Sequence, residues 1–177
     1  MKHLITALLC TLFSTICFAE NKVSVIEYCP APGQFVNTLP IIESEDDVLQ
    51  KAQQNLERGS MISLGAFGGY MVVKFDTPLA NAEGNDFIIL GNAFATSAEP
   101  GVVMVSRDAN QNGIADDRWY EIAGSEYARS TKNYEITYYR PTAENDASEE
   151  AVNDYIHWSD NQGNSGWLTK NTTHKQP

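Results

Sequence analysis

The residues best suited to chemistry lie in one stretch, residues 108–117, where oxygen-bearing side chains recur at alternate positions. A glycine follows the third of them, and two adjacent aspartates end the stretch. Short loops that wrap Ca²⁺ place carboxylate and amide oxygens at every second position, with a glycine at the sixth. The pattern therefore predicts a calcium site with these ligands: Asp108, Asn110, Asn112, the carbonyl of Ile114, Asp116 and Asp117.

The second half of this calcium pattern is altered. Trp119 occupies the twelfth position, where a bidentate carboxylate normally closes the coordination shell. Asp117 or Glu121 would have to supply the missing oxygen. The alternative is a solvated turn without a metal, because Asn, Asp and Gly favour turns in any case.

The segments on either side of this stretch are rich in β-forming residues. Residues 101–106 and 119–123 are predicted strands, rather than the helices that flank a helix–loop–helix calcium site. We therefore expect a calcium loop inside a β-hairpin.

The rest of the chain also predicts a mainly β protein. A serine followed by three acids precedes an apolar stripe at residues 48–56, which predicts one short amphipathic helix. Short runs of β-forming residues, separated by turn residues, predict an antiparallel β-sandwich of the jelly-roll type. The predicted strands are 22–28, 61–64, 69–75, 86–90, 102–106, 119–123 and 133–140, with a weak helical stretch at 147–155 and a polar loop at 158–167.

The N-terminus has the pattern of a secretory signal peptide. A short basic start precedes an apolar run at residues 4–18 that is too short to span a bilayer, and the small residue Ala19 marks a cleavage site. A lipoprotein anchor at Cys17 is the alternative. We expect a secreted, periplasmic or cell-surface protein with no later transmembrane segment.

Composition narrows the classes of function. The 177-residue chain has a formal net charge of −11, which argues against nucleic acid as a partner. Cleavage would leave Cys29 as the one remaining cysteine, so neither an intramolecular disulfide nor a cysteine zinc site is expected. Residues 20–170 are long enough for a single domain, and residues 171–177 form a polar tail.

Catalytic patterns are weak, and we do not predict an enzyme. The serine in residues 163–166 lacks the strand-to-helix turn of a nucleophile elbow. The two histidines beyond the signal peptide, His157 and His174, are too few for a zinc hydrolase without carboxylates that the sequence does not single out.

Aromatic residues offer a second kind of site. Flat rings in loops can bind sugars or other planar ligands, and such positions include Tyr70, Trp119, Trp158 and Trp167. The alternative is that these rings pack in the core or across strands.

Four motifs in order, residues 63–70, 73–78, 86–94 and 99–127, closely resemble a family of secreted bacterial proteins. The family is described as cell-surface or PKD-associated proteins and is abundant in Bacteroidetes-type bacteria. The resemblance covers roughly residues 23–170. It implies a jelly-roll sandwich similar to galactose-binding domains, a calcium loop at residues 108–117, and export to the envelope.

The family pattern continues beyond the segment that matches residues 158–167, so this chain resembles a truncated member. We expect an exported, calcium-stabilised β-sandwich that recognises a small molecule or glycan at the cell envelope, as an accessory of nutrient uptake. An envelope protein is a further expected partner. The alternatives are a purely structural or adhesion module and a glycan-acting hydrolase.

Overall fold

The structure is a computed structural model that describes residues 22–33, 36, 45–140 and 155–169. The predicted signal peptide, the polar tail and residues 147–154 of the predicted helical stretch lie outside the described residues. The described part contains one helix and seven strands. In chain order they are β1 (Val23–Cys29), α1 (Glu45–Glu57), β2 (Tyr70–Phe75), β3 (Met104–Ser106), β4 (Trp119–Glu121), β5 (Ile136–Tyr139), β6 (Tyr155–Asp160) and β7 (Ser165–Thr169).

The strands form three small antiparallel sheets, and within the described residues none of the sheets closes. β1 pairs with β2, β3 pairs with β4, and β6 lies between β5 and β7. The prediction of a mainly β, antiparallel chain with one helix is therefore confirmed.

The first sheet and the helix support each other. β1 and β2 run from the Val23–Phe75 pair to the Cys29–Tyr70 pair, with a register shift between Val25 and Glu27. Gln53 of α1 reaches the unpaired backbone of β1, because its Oε1 accepts from Val25 N at 2.7 Å and its Nε2 donates to the Val23 carbonyl at 3.2 Å. These bonds satisfy backbone groups at the edge of the sheet and fix the helix beside it.

Glycines allow two chain segments to touch beside this sheet. Ala31 N donates to the Leu64 carbonyl at 2.9 Å, and Ala66 N donates to the Pro32 carbonyl at 3.2 Å. A Cβ on Gly65 would lie 1.9 Å from the Ala31 oxygen, and one on Gly69 would lie 1.7 Å from the Leu64 oxygen. Close backbone contact explains this glycine-rich segment.

Three predictions about elements were wrong, and a fourth was wrong at the one residue of it that the structure describes. Residues 158–167 were expected to be a loop, but they contain most of the β6–β7 hairpin, and Tyr155 of the predicted helical stretch begins β6. Residues 61–64 and 86–90 were expected to be strands, but neither is assigned to a sheet. Ile88 and Leu90 are 80% and 81% exposed. Apolar, β-forming residues make a strand only where a partner strand accepts their backbone hydrogen bonds.

The core of the described part is small. Its buried apolar side chains are Ala31 and Ala52. No helix in the described ranges has the length and apolar character needed to cross a membrane.

Candidate metal site and aromatic surfaces

The β3–β4 hairpin holds residues 107–118 as its connecting turn, as predicted. Ser106 pairs with Trp119 at the base of the turn, and the Ser106 hydroxyl donates to the Arg118 carbonyl at 3.0 Å. Ile122 N extends the pairing by donating to the Val103 carbonyl at 2.9 Å. The two ends of the turn are therefore fixed by strands, which leaves the polar side chains to arrange its interior.

The Asp108 carboxylate organises the backbone of the turn. Its Oδ1 accepts from Asn112 N at 3.1 Å, and its Oδ2 accepts from Gly113 N at 2.9 Å. An ionised carboxylate only accepts hydrogen bonds and has several lone pairs, so these bonds leave capacity for a cation. The Asp108 carboxylate therefore fixes the backbone in the first half of the turn.

The two asparagines link the backbone to Asp116. Asn110 Oδ1 accepts from Asn112 N at 3.0 Å, and Asn112 Oδ1 accepts from Ile114 N at 2.8 Å. Their amide nitrogens both donate to the Asp116 carboxylate, at 3.4 Å from Asn110 and 3.0 Å from Asn112. Four of the predicted ligands are thus connected directly or through one backbone amide.

The two residues considered for the open coordination position lie in different surroundings. Asp117 remains in the turn, where its Oδ2 accepts from Ala109 N at 2.9 Å. Glu121 lies on β4, and both of its oxygens are 3.3 Å from the Lys132 ammonium. The arrangement favours Asp117 as the carboxylate nearest to the turn.

The backbone of the turn requires special conformations. Gln111 and Gly113 have positive φ angles of 59° and 75°. A Cβ on Gly113 would lie 2.9 Å from Nζ at the flexible end of Lys74, so glycine is favoured here by conformation rather than by space. This contact also places the turn beside β2, the strand that carries Lys74.

The donor set fits a hard cation if neutral oxygens take part. Among the described residues, no three His, Cys, Asp or Glu side chains are grouped to hold a metal. A cation in this turn would therefore depend on the amide oxygens of Asn110 and Asn112 and the carbonyl of Ile114, together with Asp108 and Asp116. Ca²⁺ accepts such mixed oxygen ligands in flexible geometry, whereas Mg²⁺ demands a near-ideal octahedron.

The aromatic residues considered for ligand binding lie on different sheets. Tyr70 begins β2, and its hydroxyl donates to Glu27; this hydrogen bond, followed by partial burial and the charges of Glu27 and Cys29, raises the pKa of Tyr70 to about 12. Trp119 begins β4, and its indole N–H donates to the Ala115 carbonyl at 3.4 Å. Trp119 therefore contacts the turn directly.

Trp158 and Trp167 lie on opposite faces of the third sheet. Trp167 pairs with His157, and its neighbour Gly166 pairs with Trp158, so the alternation of side chains separates the two tryptophans. A Cβ on Gly166 would lie 2.9 Å from the Trp158 ring, which shows that Trp158 covers this glycine.

Trp167 belongs to a row of rings across the third sheet, which we call the aromatic row: Tyr139, His157 and Trp167. Neighbouring ring centroids are 4.9 Å apart, with interplanar angles of 30° and 54°. Both pairs are tilted rather than parallel, so these rings contact one another across the strands.

Asp160 is a structural residue that the sequence did not single out. Its carboxylate accepts from the backbone of Gln162 and Asn164, from the Asn164 amide, and from the Tyr134 hydroxyl, at 2.7–3.0 Å. The Asn164 side chain is the main cause that holds its pKa below 3.8. The run from Asp160 to Asn164 is rich in residues that favour turns, and this composition was the available signal for the turn.

The comparisons with known proteins give no family assignment: no protein-family model matches the chain, and no curated protein matches it significantly.

Proposed function

We propose that this chain is an exported, calcium-stabilised β domain that recognises a ligand at the bacterial cell envelope. The observation that carries the proposal is the arrangement of the turn at residues 108–117. The Asp108 carboxylate accepts hydrogen bonds from two backbone amides, while the Asp116 carboxylate accepts from the side-chain amides of Asn110 and Asn112. All six of the predicted ligands therefore belong to one short connection between paired strands.

The ion would act mainly by electrostatics. Asp108, Asp116 and Asp117 place three negative charges in one exposed turn, and these charges repel one another. A divalent cation would neutralise them and would replace the neutral amide N–H groups that now face Asp116. Because the unfolded chain lacks this arrangement, binding of the ion contributes to folding stability.

The proposed architecture is a jelly-roll β-sandwich. Three antiparallel sheets and one helix are compatible with it, and Tyr138 links two of the sheet regions by donating to the Phe67 carbonyl at 2.9 Å. The motif resemblance to secreted cell-surface proteins and the leader-like N-terminus support export.

Ligand recognition, of a glycan or another small molecule, is proposed for exposed aromatic side chains. Trp167 on the edge strand β7 is 56% exposed, and Tyr70 is 42% exposed. The second candidate function is a structural or adhesion module. The contact of the Trp167 ring with His157 favours this second function, because the ring then serves cross-strand packing.

Calcium binding can be tested by titration of the full chain, initially in chelator. Trp119 is the optical probe, since its indole contacts the turn at Ala115. We expect a saturable change in tryptophan emission with Ca²⁺ and binding heat by calorimetry, both lost in Asp116→Asn. Asp76→Asn, an exposed acid outside the turn, is the charge-matched control. Equal responses from the two variants would contradict a site at Asp116.

Recognition is tested separately on a glycan array, with calcium and with chelator. Binding that is weakened in Trp167→Ala but retained in Trp119→Phe would support a ligand site on the third sheet. An array with no bound glycan, from a chain that still responds to calcium, would favour the structural module.

A further inference from the structure

Asn112 and Gly113 form the one Asn-Gly pair in the entire sequence. An asparagine followed by glycine is chemically labile because the glycine nitrogen can reach the side-chain amide carbon without hindrance from a β-carbon. The attack gives a cyclic succinimide, and ammonia leaves. The question is whether the turn prevents this reaction or assists it.

Three hydrogen bonds surround the reacting atoms in the turn. The Asp108 Oδ2 accepts from the nucleophilic Gly113 N–H at 2.9 Å. The Ile114 N–H donates at 2.8 Å to Asn112 Oδ1, the oxygen on which negative charge develops. The Asp116 Oδ2 accepts at 3.0 Å from Asn112 Nδ2, the leaving nitrogen.

Each contact corresponds to a known element of acyl-transfer catalysis. A carboxylate on the nucleophile's N–H accepts its proton, a backbone N–H on the carbonyl oxygen stabilises the tetrahedral intermediate, and a group on the leaving nitrogen orients it. The Asn112 side-chain carbonyl is held by the Ile114 amide, which follows Gly113 in the chain. Gly113 also has a φ of 75°, which a residue with a side chain rarely adopts.

We infer that this turn is a self-modifying site at which Asn112 deamidates. The Gly113 nitrogen attacks Asn112 Cγ, and the N–H proton leaves through the hydrogen bond to Asp108. The Cγ–Nδ2 bond then breaks, and the departing nitrogen takes up that proton to leave as ammonia. Water opens the succinimide to aspartate or isoaspartate, so the net reaction consumes one water and releases one ammonia.

The product changes the proposed cation site. Aspartate at position 112 adds a fourth carboxylate to the turn and strengthens its attraction for a divalent cation. Isoaspartate lengthens the backbone by one carbon and disrupts the spacing. This consequence rests on the proposed calcium binding. An ion held by Asp108 and Asp116 would also occupy the carboxylates that assist the reaction. The reaction itself does not require the ion.

The test is a time course of the full chain in chelator at neutral pH. Trypsin releases residues 108–118, because arginines lie at positions 107 and 118. Mass spectrometry with electron-transfer fragmentation then measures conversion at Asn112 and distinguishes isoaspartate. Asn110 in the same peptide is the internal control, and the synthetic peptide 108–118 measures the reaction without the turn.

We expect Asn112 in the folded chain to convert at least as fast as in the peptide, while Asn110 remains intact. Asp108→Asn should slow the conversion of Asn112 several-fold in the folded chain and leave its conversion in the peptide unchanged. Asp86→Asn is the matched control, since the Asp86 carboxylate accepts one backbone N–H in another turn. Thermal unfolding confirms that both variants fold.

Conversion in the folded chain that is tenfold slower than in the peptide would overturn the inference, because the turn would then protect Asn112. An equal effect of Asp108→Asn on chain and peptide would overturn it too. A repeat in excess Ca²⁺ distinguishes this inference from the proposed function. Unchanged conversion there would contradict calcium binding at Asp108 and leave the deamidation inference intact.

Discussion

Asp108 and Asp116 contribute to the turn in different ways, and substitutions can separate them. Asp108 bonds to backbone amides, whereas Asp116 bonds to side-chain amides alone among its described partners. Asp108→Ala should lower stability by about 1 kcal/mol even in chelator, as the loss of a cap on backbone N–H groups does. Asp116→Asn should cost little in chelator.

In calcium, both variants should lose the additional stability that we propose the ion provides. Urea unfolding in the two buffers measures these differences. A large loss for Asp116→Asn in chelator would mean that its carboxylate supports the turn without any ion.

Asp160 gives the β6–β7 hairpin a pH dependence. Its folded pKa lies below 3.8, chiefly because the Asn164 side chain bonds to the charged form. Because its folded pKa is lowered, the ionised Asp160 carboxylate contributes fully to the stability of the fold above the unfolded pKa. This contribution is lost as the pH falls through the folded pKa. The stability difference between the native chain and Asp160→Asn should therefore shrink below pH 3.8.

The measurement for Asp160 is urea unfolding at a series of acidic pH values, followed by the emission of the hairpin tryptophans. Asp76→Asn serves as a control. A difference between the native chain and Asp160→Asn that stays constant across this range would show that the carboxylate charge does not hold the turn.

At the scale of elements, the glycine contacts beside the first sheet can be tested by adding a methyl group. Gly65 has a φ of 79° and no room for a Cβ, whereas Gly59 has a φ of 64° and nothing within 4 Å of its Cβ position. Gly59→Ala should cost about 1 kcal/mol from backbone strain, and Gly65→Ala should cost distinctly more because the clash adds to it. Urea unfolding compares the two, and equal losses would argue against the backbone contact.

The elements also show what the sequence allowed us to predict. The β1, β2 and β3–β4 strands and α1 follow from alternation, capping and turn residues, all of which are local signals. The hairpin of β6 and β7 was missed because neither Tyr155–Asp160 nor Ser165–Thr169 alternates polar and apolar residues, and the aromatic row forms only when Tyr139 of β5 lies beside His157. Residues 86–90 were predicted to be a strand from local preference, but pairing depends on distant segments.

The candidate site also combines local contacts, which the sequence predicted, with long-range contacts, which it did not. The order of the proposed ligands within residues 108–117 is local and was predicted from spacing, and the turn does connect these side chains by hydrogen bonds. The contact of Lys74 with Gly113 and the pairing of Glu121 with Lys132 join residues distant in sequence, so spacing could not reveal them.

At the scale of the whole molecule, exposed apolar side chains favour self-association, whereas a strong negative charge opposes it. Residues 88–90 and 102–105 expose several apolar side chains, while the net charge is −11. Like charges keep the molecules apart at low salt, but at 0.1 M salt the repulsion is screened beyond about 10 Å. We therefore expect self-association to increase with salt, as measured by analytical ultracentrifugation.

The variant for this test is Ile88→Lys with Leu90→Lys, which places charges at the two most exposed apolar positions of the segment. It should abolish the salt-dependent association and leave thermal unfolding unchanged, because neither side chain is packed. Thr77→Lys with Thr131→Lys adds the same charge at exposed polar positions and controls for the change in net charge. Association that weakens equally in both variants would mean that charge, and not the apolar surface, governs it.

The central claim is that a calcium ion held by residues 108–117 stabilises the fold, and thermal unfolding of the full chain tests it most directly. An ion at a hundredfold excess over its Kd adds about 2.7 kcal/mol, which for a chain of this size raises the Tm by roughly 5–10 °C. We predict such a rise in calcium over chelator for the native chain and for Asp76→Asn, and no rise for Asp116→Asn. A native chain that unfolds at the same temperature in both buffers would contradict the claim.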